Sequence, residues 1–283
     1  MNDAESAKAG SSDRPCAFER VEGDEAGGLL LLCDHASNAV PECYHGLGLP
    51  RAELERHIGY DVGAAPLTRA LAARLKAPAL LTCVSRLVID PNRGEDDPTL
   101  IMRLSDGAVV PGNAGVDAGE RERRLALYYR PYHAEIAATL DRMAASGRPA
   151  AILSVHSYTP VWRGVPRPWH AGVLWDRDPR MARPLINALR AGHGLRIGSN
   201  EPYVGALKND TMYKHGTSRG LAHALLEVRN DLIETPAGVL EWADRLEPIV
   251  AGIVADDGLH RVRFYGSRAD GDRTTEDEHD VEA

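Results

Sequence analysis

The stretch Ala151-Ile152-Leu153-Ser154-Val155-His156-Ser157-Tyr158-Thr159-Pro160 constrains the fold more than any other part of the chain. Its apolar run is too short for a helix, is rich in branched residues and is closed by Ser, Thr and Pro. It therefore reads as a buried strand that ends at a histidine. Ligands in open α/β sheets gather where strands end, which puts His156 where chemistry is expected. A lone histidine there most often does no more than hydrogen-bond within the core, but His156 has company. Gly28–Cys33 reads as a second buried strand and runs directly into Asp34-His35, repeating the pattern.

Further strands are expected at Ala79–Val84, Leu87–Asp90, Ala171–Trp175 and Ala222–Arg229. Proline near the first turn opens a helix at Pro50-Arg51, and on that helix His57 and Asp61, four apart, would share a face. Leu67–Leu75 continues as an amphipathic helix with a kink at Pro66. Other helices are expected at Glu120–Ala144, Arg180–Ala191 and about Pro236–Val254. Strands alternating with helices imply a three-layer α/β fold, a mostly parallel, mixed central sheet flanked by helices. Residues 94–118 are loop-like, and a connection this long within a compact domain is a functional flap or a disordered insert.

The 283 residues suffice for one α/β domain with tails. The net charge of −8 misleads until it is divided, because residues 1–26 and 267–283 together carry −9 and the remainder is close to +1. The chain thus divides into a polar, disordered leader (1–26), a single domain (27–266) and an acidic, disordered tail (267–283). No basic face suggests a nucleic-acid partner. No apolar run approaches the ~18 residues of a membrane span, and Met1-Asn2-Asp3-Ala4-Glu5 lacks the basic-then-apolar order of a secretory signal. A cytoplasmic protein is expected. Cys16, Cys33, Cys43 and Cys83 show no CxxC pair, so neither disulfides nor a cysteine-zinc site is expected.

His35, Asp61, His156 and Glu227 form the set that points to a reaction. Two neutral imidazoles and one carboxylate make a three-ligand zinc site with a fourth position open for water. Bound zinc lowers the pKa of that water to about 7, and a carboxylate that does not bind the metal, Glu227, can take its proton and pass it on. Arginine is the second theme. Arg86, Arg93, Arg163, Arg167 and Arg229 lie in loops or at strand ends, where a guanidinium can grip a carboxylate with two hydrogen bonds. Arg229 would share a strand face with Glu227. Such a cleft suits a small substrate bearing one or more carboxylates.

Taken in order, Asp34-His35-Ala36-Ser37-Asn38, His57-Ile58-Gly59-Tyr60-Asp61-Val62-Gly63-Ala64 and Ser85-Arg86-Leu87-Val88-Ile89-Asp90-Pro91-Asn92-Arg93 resemble the N-formylglutamate amidohydrolase family. So do His156-Ser157-Tyr158-Thr159-Pro160, Arg167-Pro168-Trp169, Asn200-Glu201-Pro202-Tyr203 and Glu227-Val228-Arg229-Asn230-Asp231. The likeness runs from about Leu29 to Val254 and implies a zinc-peptidase-like fold. More distantly, Asp90-Pro91-Asn92-Arg93 is similar to the carboxylate-binding Asn-Arg of zinc carboxypeptidases, His156-Ser157-Tyr158 to the segment of their last histidine ligand, and Glu227-Val228-Arg229 to their catalytic Glu-x-Arg. Those enzymes place a glutamate ligand three residues after the first histidine, where this chain has Asn38, a poor zinc ligand.

Asp61 is expected to replace that glutamate, with Asn38 and His57 as alternative third donors and loss of the metal as a further alternative. The implied activity is hydrolysis of a small N-formyl or N-acyl amino acid such as N-formylglutamate. Glu227 and Arg86 would be catalytic, and Asn92, Arg93, Arg163, Arg167 and Arg229 would bind substrate. A zinc metallopeptidase is the alternative on the same residues. Gly216-Thr217-Ser218-Arg219-Gly220 also matches the GxSxG nucleophile elbow of serine hydrolases, a motif with force only between a strand and a helix.

Overall fold

The computed structural model describes residues 16–192 and 194–271. Seven strands form the central sheet: β1 (Phe18–Val21), β2 (Leu29–Cys33), β3 (Ala79–Thr82), β6 (Ala151–Tyr158), β9 (Ala171–Leu174), β10 (Ile197–Ser199) and β11 (His223–Arg229). Two small hairpins, β4 (Leu104–Ser105) with β5 (Ala108–Val109) and β7 (Val161–Trp162) with β8 (Val165–Pro166), stand apart from it. The helices are α1 (Arg51–Leu54), α2 (Ala64–Leu75), α3 (Ala118–Arg124), α4 (Arg130–Ala145), α5 (Ala182–Ala191), α6 (Thr211–His215) and α7 (Pro236–Val254). Strand order is β1-β3-β2-β6-β11-β9-β10. The β3-β2, β2-β6, β6-β11 and β9-β10 pairs are parallel, and β1-β3 and β11-β9 antiparallel.

Every residue of β2 and β6 is buried, as central strands covered on both faces require. Alternation divides their side chains between two layers. Leu29, Leu31, Leu153 and Val155 pack against α2, α5 and α7, while Leu30, Leu32 and Ile152 meet Tyr132, Ile136, Leu140 and Met143 of α4. The expected three-layer α/β fold with a mixed, mostly parallel sheet is the one observed. A third apolar cluster, which includes Tyr44, Ile58, Leu87, Ile89, Leu100 and Tyr128, fastens the long connection after β3 onto the body.

Several local expectations are corrected. The leader is not disordered up to residue 26: Phe18–Val21 pairs with Ala79–Thr82, and the Arg20 guanidinium binds Glu22, Glu25 and Glu135 of α4. Likewise the tail is ordered at its start, where Arg268 binds Asp176 at 2.9 Å. The remainder of both, residues 1–15 and 272–283, lies outside the described residues. Leu87–Asp90 is not a strand but a turn, and its apolar side chains serve the third cluster.

His57 and Asp61 do not share a helix face, because α1 ends at Leu54 and the chain turns sharply at Gly59. A Cβ at Gly59 would lie 2.3 Å from the Leu54 carbonyl oxygen, so only glycine fits. Pro66 does not kink α2, since it falls in the first turn, where its missing N–H has no partner to lose. The Glu120–Ala144 helix contains a π turn at Leu125–Tyr129 that joins α3 to α4. Pro131 follows it, and a proline there both lacks an N–H and crowds the carbonyl of Leu127, which favours the wider turn.

Candidate active site

Strands β2 and β6 are parallel neighbours, so their C-terminal ends open on the same edge of the sheet. Asp34-His35 follows directly on β2, and His156 lies near the end of β6. The two imidazole rings meet edge to face with centroids 4.8 Å apart. Asp61 joins them from the turn before α2: its N–H donates to the His35 carbonyl at 3.0 Å, and its own carbonyl accepts from Ala64. Asp61 Oδ2 then lies 3.2 Å from His35 Nδ1 and 2.8 Å from His156 Nδ1.

One donor atom from each of His35, Asp61 and His156 falls within 4.8 Å of the others, and all three residues are buried. Around a tetrahedral zinc ion with bonds of ~2.0–2.2 Å such atoms would stand a little over 3 Å apart. The far nitrogen of each ring is also held. His35 Nε2 contacts Asp90 Oδ1 at 2.8 Å, and His156 Nε2 contacts Asp34 Oδ2 at 2.9 Å. A carboxylate on the outer nitrogen of a ligating histidine fixes its orientation and raises its basicity. These residues fit a divalent metal, and the expected triad is the one brought together.

Charge supports the same reading. Burial opposes ionisation of Asp34, Asp61 and Asp90, yet their partners hold all three below the usual carboxylate range: His156 and His35 for Asp34 and Asp61, Arg86 and His35 for Asp90. Burial likewise opposes charging of His156, but the Asp34 and Asp61 carboxylates outweigh it and raise the imidazole well above its ordinary value. Arg86 closes the ring of charges, with Nη2 2.7 Å from Asp90 Oδ2 and Nη1 3.5 Å from Asp61 Oδ1.

Glu227 stands opposite His156 in the register between β11 and β6. It is 6% exposed, and its Oε2 has no hydrogen-bond partner. Burial, helped by the Asp61 charge, pushes its carboxyl from 4.5 up to about 7. A base poised near neutrality is suited to taking a proton and returning it.

A cavity of about 280 Å³ opens on these groups. Of the residues expected to bind substrate, Asn92 and Arg93 line it. The Asn92 Oδ1 accepts from the Thr211 N–H at 3.2 Å, which leaves its amide N–H groups as donors. Arg163, Arg167 and Arg229 are not among the lining residues. Arg163 is exposed beside the Trp162 ring, and Arg229 is engaged by Asp231 at 2.8 Å. Arg167 is buried behind the aromatic wall of the cavity, among the rings of Tyr158, Trp162 and Tyr203.

The alternative metal donors are elsewhere. His57 lines the cavity but turns its Nε2 to within 3.1 Å of Asp106, and Asn38 does not reach the cavity. Ser218 is exposed, lies in a 3-10 turn rather than between strand and helix, and is outside the cavity, so the serine-nucleophile reading lacks the context it needs.

Three residues of the site, Asp34, Asp90 and Asp210, have no role assigned from the sequence. Asp34 is bound by Ser154 at 2.7 Å, Thr211 at 2.8 Å and Tyr132 at 3.1 Å, which aim it at His156. Asp90 is fixed by Arg86 and by the Asn92 N–H at 2.9 Å. The available signal was an acid at the end of each apolar run, Leu29–Cys33 and Leu87–Ile89, where an unpaired buried charge would be costly. Asp210 lines the cavity, and burial raises its carboxyl to about 7.

Comparison with known proteins follows this geometry. The profile of the N-formylglutamate amidohydrolase family matches residues 27–234. A gene product of Agrobacterium tumefaciens of solved structure is 30% identical, with TM-score 0.79 over 85% of this chain and 96% of that one. An N-formylglutamate amidohydrolase from Ralstonia eutropha JMP134 is similar in fold at 19% identity and TM-score 0.55, over 85% of this chain and 97% of that one. No curated protein sequence matches the chain significantly. Among the described residues no helix is long and apolar enough to cross a membrane. With its profile match spanning most of the domain and its fold shared over nearly the same span, the chain belongs to the N-formylglutamate amidohydrolase family, hydrolases that act on amide bonds.

Proposed function

We propose that the protein is a zinc-dependent amidohydrolase that removes the formyl group from a small N-formyl amino acid, the class to which N-formylglutamate belongs. One observation carries the reading: the Glu227 carboxyl, buried and with Oε2 unpartnered, stands across from His156 beside a buried His-Asp-His donor set. His35, Asp61 and His156 would hold the ion. Zinc would supply Lewis acidity there, polarising the scissile carbonyl and acidifying water.

The remaining work falls to the chain. Arg93 and the amide N–H groups of Asn92 grip the substrate carboxylate and bring the formyl group over Glu227. Glu227 accepts a proton from water as the water oxygen bonds to the formyl carbon, and Arg86 at the cavity wall offsets the charge that develops on the carbonyl oxygen. Glu227 then gives that proton to the amide nitrogen as the C–N bond breaks, releasing formate and the free amino acid. Asp34 and Asp90 hold the two imidazoles in place throughout.

The test is metal analysis combined with turnover of N-formyl and N-acetyl amino acids. About one zinc per chain is expected, with activity lost on chelation, reduced by roughly a thousandfold or more in Glu227→Gln, and retained in Ser218→Ala. Full activity after exhaustive chelation, or absence of bound metal in an active preparation, would overturn the metal mechanism.

A further inference from the structure

We propose that the amino acid released by this enzyme carries a large uncharged side chain, aromatic or aliphatic, rather than the second carboxylate of glutamate. The inference rests on the amidohydrolase reading above and narrows its substrate. Cations are scarce at the cavity. Among the described residues the cavity is lined by two arginines and no lysine. Arg86 is already engaged by Asp90 through two bonds and by Asp61. The Arg93 guanidinium donates only to the carbonyl of its neighbour Asn92, so it alone is uncommitted to a carboxylate.

One free guanidinium anchors one carboxylate, that of the α-carbon. Facing a second would be Asp61, Asp210 and Glu227 on the lining, together with Asp106, itself paired with Arg56 at 3.2 Å. A γ-carboxylate entering beside these acids would lose its hydration and find no uncommitted guanidinium, which is unfavourable.

Tyr158, Trp162, Leu174, Trp175, Tyr203 and Leu225 line the cavity and offer apolar surface and ring faces. Arg167 does not contradict this. Its guanidinium lies 5.1–5.5 Å from the ring centroids of Tyr203, Trp162 and Tyr158, and donates to the Tyr203 hydroxyl at 3.0 Å. It clamps three rings into a wall from behind, as a stacked arginine does.

Among the described residues, six of the nine exposed large apolar side chains are Leu104, Val109, Val161, Val165, Tyr203 and Val204. They ride on three segments whose other residues, Ser105, Asp106 and Trp162 among them, line the cavity. An apolar collar at a cavity mouth is the surface an apolar ligand covers on entry.

The experiment compares kcat/KM for N-formyl derivatives of phenylalanine, leucine, alanine and glutamate, and measures binding of the phenylalanine and glutamate derivatives to zinc-loaded Glu227→Gln by calorimetry. Expected is a preference for phenylalanine or leucine over glutamate of roughly tenfold or more, in turnover and in binding, as burial of a large apolar group supplies. Trp162→Ala should lower the ratio of phenylalanine to alanine turnover by roughly tenfold, mainly through KM. Comparable or better turnover of the glutamate derivative would overturn the inference while leaving the amidohydrolase reading intact. An unchanged ratio in Trp162→Ala would also overturn it. Absence of turnover of every N-formyl amino acid would instead remove the reading on which it rests.

Discussion

Glu227 shows how a single burial decision sets chemistry and stability together. Its carboxyl rises from 4.5 to about 7, first because burial disfavours the charged form and second because Asp61 is near. A raised carboxyl means that the folded chain binds the proton more tightly than the unfolded one, so stability is lost as pH climbs from about 4.5 through about 7. In metal-free protein, Glu227→Gln should therefore raise the unfolding free energy by about 3 kcal/mol at pH 8, with the gain gone by about pH 4, as denaturant titration at the two pH values would reveal. A gain independent of pH would mean that charge is not its cause.

The residues legible in the sequence were those at strand ends, His35, His156 and Glu227, because an apolar run that stops at a polar group announces its own position. Asp34 and Asp90 were printed in the same motifs but had no role, since only the fold shows which nitrogen each one faces. Arg163 and Arg229, expected to bind substrate, do not line the cavity, for a related reason. A loop arginine carries no sequence signal of direction, and these two turn toward Trp162 and Asp231.

Among the elements, the π turn between α3 and α4 has the clearest tie to the cavity. It places the Tyr129 hydroxyl on the Arg93 carbonyl at 2.6 Å, while His133, in the first turn of α4, contacts the Pro91 carbonyl through Nε2 at 3.0 Å. The segment carrying Asn92 and Arg93 is thus held from the helix beneath it. Tyr129→Phe removes one bond of that support, and KM for an N-formyl amino acid should rise about fivefold with kcat little changed, the worth of roughly one hydrogen bond. A matching fall in kcat would place Tyr129 closer to the reaction than this geometry does. The helix itself was readable from its apolar period, whereas the π turn was not, because the only local cue is Pro131 two residues beyond it. Leu87–Asp90 misled for the opposite reason: its apolar pattern is real, but it is used by a turn packed in a third cluster rather than by a strand.

At the scale of the molecule, the donor set draws on β2, β6 and the turn before α2, so a bound ion would tie together parts of the chain that the unfolded state separates. Zinc supplied at about a thousand times its dissociation constant should raise the unfolding free energy by about 4 kcal/mol over the chelated protein. The increment should shrink as pH is lowered, because the ion must displace the proton that Asp34 and Asp61 hold on His156. Thermal melts with and without metal at two pH values measure both effects, and a melt indifferent to zinc would remove the ion from the fold.

The three-layer arrangement was foreseeable from the alternation of buried strands and amphipathic helices. The edge strand β1 was not, because its four residues are only half-buried and sit in a charged leader that resembles solvated chain. The pairing of His156 with Glu227 across adjacent parallel strands has a broader consequence. The spacing of these two side chains is gauged by the ladder of the backbone, while residues of the two detached hairpins and the 200–205 loop supply the outer part of the cavity lining. Selection can redraw those outer parts, residue by residue, and leave the strand-borne groups where the ladder holds them.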